Sequence, residues 1–378
     1  MRFRCFLILF CWTFCLEYGV FAQEPYPRFG PQGYKVAMSL DDNALAAQVL
    51  LAGIDGKTSL VPAMRNLLER IPAGGIMLFG YNLDTPKDEV KKLLSESSDL
   101  AAQKTGIPPF IAVDHEGGLV HRFGPGVERL PPALSFWELA QKEGRDAALA
   151  RAETLYRRSA REIRDLGITM ALGPVAETFN TDNRLFLDTR SYGPDPDFTR
   201  DAASAYIRGM NAAGIACVLK HFPGNSAADP HTGASTLNAG KAALNEMVRP
   251  FTGIMRGLGP SAVLISHVML PALDSKRIAS LSRPVIEGWL RSELGFYGIV
   301  LADDFSMAAV AASGVDPDAA AVEALSAGVD MVMVWPRNLS AVHASILEAL
   351  KNGRLQRARL LDAAGRIIAE KMRYGVYK

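Results

Sequence analysis

Cysteine is scarce and poorly placed for cross-linking. Of four in 378 residues, Cys5, Cys11 and Cys15 crowd the first fifteen positions, which leaves Cys217 alone in the body of the chain. A lone thiol closes no intrachain disulfide, so stability must come from a packed core. Cys217 sits in an apolar run and reads as a small buried hydrophobe rather than a nucleophile. Charge of one sign is also missing: 41 basic residues face 40 acidic ones, for a net charge of +1. That balance argues against a nucleic-acid groove and a polybasic membrane patch. No low-complexity tract, nucleotide-binding loop or metal-ligand cluster is present, so neither cofactor nor metal is expected. Past the first 22 residues, no span of the membrane is expected either.

The opening of the chain is of a different kind. Arg2 and Arg4 precede an apolar stretch from Cys5 to Leu16, and Val20-Phe-Ala22 supplies small residues before Gln23. This is the pattern of a cleaved signal peptide over residues 1–22, with export to the periplasm or the extracellular space. Lipid modification at Cys15 is not favoured, because Trp12-Thr-Phe before it is a poor match to small residues. Residues 24–34, rich in proline and glycine, are expected to form an extended lead-in.

From there, apolar runs of strand length alternate with helical patterns. The runs are 49–54, 75–79, 110–113, 168–172, 216–219, 262–265, 298–301 and 331–334. They are continuous rather than alternating, as in strands buried on both faces. Helices are expected over 86–103, 145–166, 239–258, 284–294 and 316–327, with two more between 339 and 374. Thr85 is expected to cap the first of these, with Pro86 in its first turn. Eight strand–helix units point to a single (β/α)8 TIM-type barrel with terminal helices, over residues 23–378. An open doubly wound sheet fits less well, because polar residues follow many of the strands and not one crevice.

In a barrel the active site forms at the C-terminal ends of the strands. There the sequence puts Asp114, His115, His121 and Arg122 after the third run. A long loop after the fourth carries Asp188 and Arg190. The fifth run ends in Lys220-His221, followed by Asp229 and His231. Ser266-His267 follows the sixth, and Asp303-Asp304 the seventh. Five of the six histidines fall at these places. Singly, each has a plain structural reading: His115 and His267 as satisfied core histidines, Arg122 and Arg190 as partners of buried carboxylates, Asp304 as the structural member of its pair. Together they converge on one face.

Four stretches carry a specific likeness: Asp114-His-Glu-Gly-Gly-Leu-Val-His-Arg-Phe123, Leu187-Asp-Thr-Arg-Ser-Tyr-Gly193, Lys220-His-Phe-Pro-Gly-Asn-Ser226 with Asp229-Pro-His231, and Leu294-Gly-Phe-Tyr-Gly-Ile-Val-Leu-Ala-Asp-Asp-Phe-Ser-Met307. On these the chain resembles glycoside hydrolase family 3, and within it the single-domain β-N-acetylhexosaminidases. The resemblance implies a retaining mechanism with Asp303 as nucleophile. It implies His231 as the acid/base, oriented by Asp229, on a loop that closes over bound sugar. Asp114, Arg122, Arg190, Lys220 and His221 would hold the sugar. The implied partner is an oligosaccharide or cell-wall fragment containing N-acetylglucosamine. The chain departs from the family pattern at Asn225, Pro230 and Ala302, and the interval from Lys220 to His231 is short. Other readings are a β-glucosidase, a glycoside phosphorylase, a Schiff-base aldolase using Lys220, and a sugar-binding homologue that has lost catalysis.

Overall fold

A computed structural model describes residues 31–378. The proposed signal peptide, 1–22, lies outside the described residues. Eight strands form the frame: β1 (Leu50–Gly53), β2 (Gly75–Leu78), β3 (Phe110–Gly117), β4 (Met170–Val175), β5 (Ala216–Phe222), β6 (Ala262–Ile265), β7 (Ile299–Ala302) and β8 (Met331–Val334). Each pairs in parallel with its neighbours in chain order. Pairing of β1 with β8, with Leu50 opposite Val332, closes the ring. The fold is a (β/α)8 barrel.

All eight apolar runs became strands, and the reason is burial. Every residue of β1, β2, β6, β7 and β8 is buried, the inner face by the barrel's own side chains and the outer by helices. β3 and β5 run farther than their apolar sequence suggests, into Asp114-His-Glu-Gly117 and Lys220-His-Phe222. Among the added residues Asp114, Glu116, Lys220 and His221 are polar because they line the mouth of the barrel.

Several helical expectations need correction. The lead-in is helical from Pro31 to Met38, packed against the last helix, Arg357–Arg373. The helix expected from 86 starts at Lys87. Pro86 itself holds the cap position, and the Thr85 hydroxyl makes no cap. The helix expected over 239–258 is two, Lys241–Met247 and Arg249–Leu258, broken at Val248. Pro250 causes the break: it has no amide hydrogen, and its ring would strike the carbonyl four residues back. The sequence reading missed the helices Pro62–Arg70 and Pro196–Asn211.

The end of the barrel where the strands begin carries buried charges. Asp330 is fully buried among Arg291, Arg359 and Arg366. Lys371 is fully buried too, its Nζ 2.9 Å from Gln48 Oε1. Burial pushes the Lys371 ammonium down to about 7. Between that value and the ordinary 10.5 the unfolded chain binds the extra proton, so stability rises with pH across the window. Below it the folded protein carries the full cost of an enclosed ammonium. Lys371→Met is therefore expected to stabilise the protein by roughly 2–4 kcal/mol more at pH 6 than at pH 10. Urea unfolding at the two pH values checks this, and an equal gain at both would contradict it.

Candidate active site

β3 places Asp114 and Glu116 on one face, because alternate residues of a strand point the same way. Opposite them β5 delivers Lys220. Its Nζ lies 2.7 Å from Asp114 Oδ1 and 2.7 Å from Glu116 Oε1. Arg190 closes on Glu116 with two bonds, of 2.8 and 2.9 Å. Arg122 Nη2 donates to Asp114 Oδ2 at 3.2 Å. Arg122 is brought back by a turn that requires glycine: at Gly117 φ is +97°, and a Cβ would lie 2.4 Å from the Pro131 carbonyl oxygen.

These charges hold one another ionised. Burial pushes both carboxyl groups up, yet Lys220 with Arg122 keeps Asp114 below the usual range. Lys220 with Arg190 keeps Glu116 well below it. For Lys220, burial pulls the ammonium down and the two carboxylates more than restore it. The result is a rigid cradle of fixed donors and acceptors, suited to vicinal hydroxyls.

His221, next along β5, is gripped by Glu177. Its Nδ1 lies 2.6 Å from Glu177 Oε1, and Arg190 Nη2 is 3.4 Å from its Nε2. A guanidinium can only donate, so Nε2 accepts and Nδ1 carries the proton towards Glu177. Asn225 anchors the carboxylate from the other side. Its amide nitrogen donates to Glu177 Oε2 at 2.7 Å, and its side chain donates to Oε1 at 3.0 Å. The Lys220–His221 and Phe222–Pro223 peptide bonds are cis.

Asp303 is the first residue beyond β7, and its Oδ1 accepts the Asp304 amide at 2.9 Å. The Asp304 carboxylate also borders the cavity but accepts from Trp335 Nε1 and from Ser306 Oγ at 2.6 Å. His267 lies beneath, with Nδ1 2.7 Å from Ser280 Oγ and Nε2 3.2 Å from the Asp304 carbonyl oxygen. Burial holds His267 below its ordinary value although Asp303 is near. His115 is enclosed as well, bonded to Ser159 Oγ at 2.7 Å and pushed down to about 3 by burial and by His121. Both histidines, like Asp304, have structural partners.

His231 and Asp229 occupy an exposed loop, at 61% and 45% side-chain exposure. The ring's Nδ1 is 2.7 Å from Asp229 Oδ1, and the His231 amide donates to the same oxygen at 2.9 Å. Burial would raise Asp229, but the His231 hydrogen bonds outweigh it and hold the carboxyl low. Pro230 between them leaves the pair intact. Its carbonyl accepts the Ala309 amide at 3.1 Å, which ties the loop to the segment after Asp303.

One cavity of about 360 Å³ joins these groups: Asp114, Glu116, Arg122, Arg190, Lys220, His221, His231 and Asp303 all line it. Asp229 stands behind His231. Among the described residues no group of three or more His, Cys, Asp or Glu side chains is arranged to hold a metal ion.

The sequence pattern of the glycosyl hydrolase family 3 N-terminal domain matches residues 48–369. The chain belongs to glycosyl hydrolase family 3. It is 36% identical over 294 residues to a β-hexosaminidase of Methylococcus capsulatus, covering 76% of this chain and 82% of that one. A β-hexosaminidase of Xanthomonas oryzae pv. oryzae is 35% identical over 324 residues, 84% of this chain and 92% of its own. The solved structure of a family 3 β-N-acetylglucosaminidase from Paenibacillus superposes with a TM-score of 0.82 at 31% identity. That match covers 89% of this chain and 63% of the Paenibacillus chain.

Two residues of this family 3 site escaped the sequence reading. Glu116 sits two positions past Asp114, and the period of a strand was a sufficient signal for it. Glu177 follows β4 by two residues, at the strand-end position where a barrel carries its chemistry. No local motif marks it, and its role appears only when Lys220-His221 and Asn225 arrive from β5.

Proposed function

We propose that this family 3 chain is an exported, retaining exo-β-N-acetylglucosaminidase. The observation that supports it best is the single cavity in which Asp303 and the His231–Asp229 pair face a fully ionised cradle. The names of the relatives point the same way. The leader-like residues 1–22 support export to the periplasm or the extracellular space, where the substrate would be a glycan or cell-wall fragment ending in N-acetylglucosamine.

In the first step an Asp303 oxygen attacks the anomeric carbon while the glycosidic C–O bond breaks. The departing oxygen takes a proton from His231 Nε2, the nitrogen that Asp229 does not engage. In the second, His231 removes a proton from water, the water oxygen joins the anomeric carbon, and the Asp303 ester bond breaks. Asp229 fixes the ring. Lys220, Asp114, Arg122 and Arg190 hold the distal hydroxyls, and the Glu177–Asn225 pair keeps His221 turned towards them. The exposed loop admits substrate before the acid comes to bear.

Turnover of aryl β-N-acetylglucosaminide against aryl β-glucoside tests the reading. The acetamido sugar is expected to be preferred by at least about tenfold in kcat/KM, the scale of one pocket contact at C2. Preference for the glucoside would make the chain a β-glucosidase. Release of sugar 1-phosphate in phosphate buffer would make it a phosphorylase.

A further inference from the structure

Asp303 owes its orientation to a neighbour that takes no part in the reaction above. The last torsion of an aspartate is broad and roughly two-fold, so a carboxylate just past a strand end has no preferred oxygen of its own. Here one is chosen: Oδ1 accepts the Asp304 amide at 2.9 Å, and among the described residues no donor reaches Oδ2. Asp304 is held so that its amide keeps this direction. Its carboxylate accepts the Ser306 amide at 2.9 Å, the Ser306 hydroxyl at 2.6 Å and Trp335 Nε1. Its carbonyl accepts the Met307 amide and His267 Nε2, each at 3.2 Å. The bonds from Ser306 and Met307 shape the local turn, whereas those from His267 and Trp335 arrive from outside it.

Strand order gives these two donors their meaning. His267 follows β6 and Trp335 follows β8, the two strands that pair with β7 in the ring. The turn after β7 is therefore registered against both neighbouring strand ends. Each donor is itself held. His267 is enclosed, and burial keeps its ring below the ordinary value. A carbonyl only accepts, so Nε2 carries the proton of the neutral ring and Nδ1 accepts from the buried Ser280 hydroxyl at 2.7 Å. The Trp335 ring lies flat on Phe79, with centroids 4.4 Å apart and planes 6° from parallel. Tyr81 backs Phe79 at 5.9 Å, and its hydroxyl donates to the Ile54 carbonyl at 2.8 Å. An indole N–H lies in the plane of its ring, so a stack that fixes the plane also aims Nε1 at Asp304.

We propose that Trp335 and His267 are positioning residues for the nucleophile: by fixing Asp304 they keep its amide on one Asp303 oxygen and leave the other to attack. This rests on the functional reading above and assigns that reaction its atoms. The free oxygen supplies the electron pair that bonds the anomeric carbon. The pair of the glycosidic bond leaves with the departing oxygen, which takes the His231 proton. The held oxygen becomes the ester carbonyl. When water breaks the ester, the bonding pair returns to Asp303, and the amide already faces the charge that re-forms.

The test reads kcat/KM, which reports formation of the glycosyl-enzyme, on an alkyl and a nitrophenyl β-N-acetylglucosaminide. Trp335→Phe keeps a ring on Phe79 and removes the N–H. It is expected to lose about 10- to 100-fold on both substrates alike, the scale of a hydrogen bond to a charged group or of a reacting atom misplaced by about an ångström. Equal loss separates this role from that of His231, whose removal hurts the poor leaving group more. Binding of N-acetylglucosamine, followed by calorimetry, is expected to hold within about threefold, because the contact serves the reacting atom and not the bound sugar. His267→Leu is expected to lose as much as Trp335→Phe, and His267→Gln, whose amide can donate to the same carbonyl, to retain most of the rate. Three results in Trp335→Phe would overturn the positioning role while the parent cleaves both substrates: kcat/KM within about twofold on both, a loss confined to the alkyl glycoside, or a loss explained by weaker sugar binding. Equal rates in His267→Leu and His267→Gln would overturn it for His267. In each of these cases the functional reading stands. If the parent cleaves neither substrate, the functional reading fails and the positioning role falls with it.

Discussion

Asp303→Ala is expected to lose roughly 10⁴- to 10⁶-fold in kcat on an aryl β-N-acetylglucosaminide, the scale on which an enzyme loses its covalent nucleophile. Asp303 is the only carboxylate beyond β7 that is free to attack. Asp304 spends its oxygens on Trp335 and Ser306, so it cannot take over. A fluorinated glycoside should label Asp303 in the parent protein, and unchanged turnover in the variant would remove it from this role. His231→Ala gives a different signature. An acid matters most when the departing oxygen is a poor leaving group, so the loss should be roughly 10²–10⁴-fold for an alkyl glycoside and much smaller for a nitrophenyl one. Equal losses on both substrates would count against His231 as proton donor. Borohydride trapping of Lys220 with a carbonyl substrate should fail, because its ammonium is locked between Asp114 and Glu116.

Asp330→Ala should be the most damaging substitution away from the site. Asp330 lies just before β8 and is fully buried. It accepts from Arg291 at 2.6 Å, Arg359 at 2.5 Å and Arg366 at 2.8 Å, and from the Val300 amide of β7 at 2.9 Å. Burial alone would raise the carboxyl, and the three guanidinium groups reverse this and hold it well below the ordinary range. Removing the carboxylate leaves three cations facing one another with little water, at a cost of about 3–5 kcal/mol. Chemical denaturation should read that loss, and a change under about 1 kcal/mol would show that water or rearranged carboxylates compensate. Asp330 has a lowered folded-state value, so its stabilisation is present at neutral pH. It is lost only as acid carries the protein below about pH 4, where the unfolded chain begins to take up the proton first.

Much of the barrel was legible because strands enclosed on both faces must be apolar throughout, and each such run stands out against its polar flanks. Helix ends were harder. Thr85 has the right chemistry for a cap, yet the chain turns at Pro86 and leaves its hydroxyl elsewhere. At Pro250 the proline did signal a break, but the apolar stripe on either side of it reads as continuous.

For the site, the residue types and their strand-end positions were readable, and so was the local pairing of Asp229 with His231, two residues apart. The long-range pairs were not. Lys220 and Asp114 are separated by 106 residues and Arg190 and Glu116 by 74. Nothing in either segment announces its partner. Eight apolar runs with polar ends suffice to specify a closed barrel, since burial is a property each segment carries along its own length. Which charge meets which across the mouth, and that Trp335 lies beside Phe79, depends on ring closure, which brings β8 and β1 together and sets the ends of β3 and β5 face to face. Distance in space is a property of the assembled strands, and no segment encodes it alone.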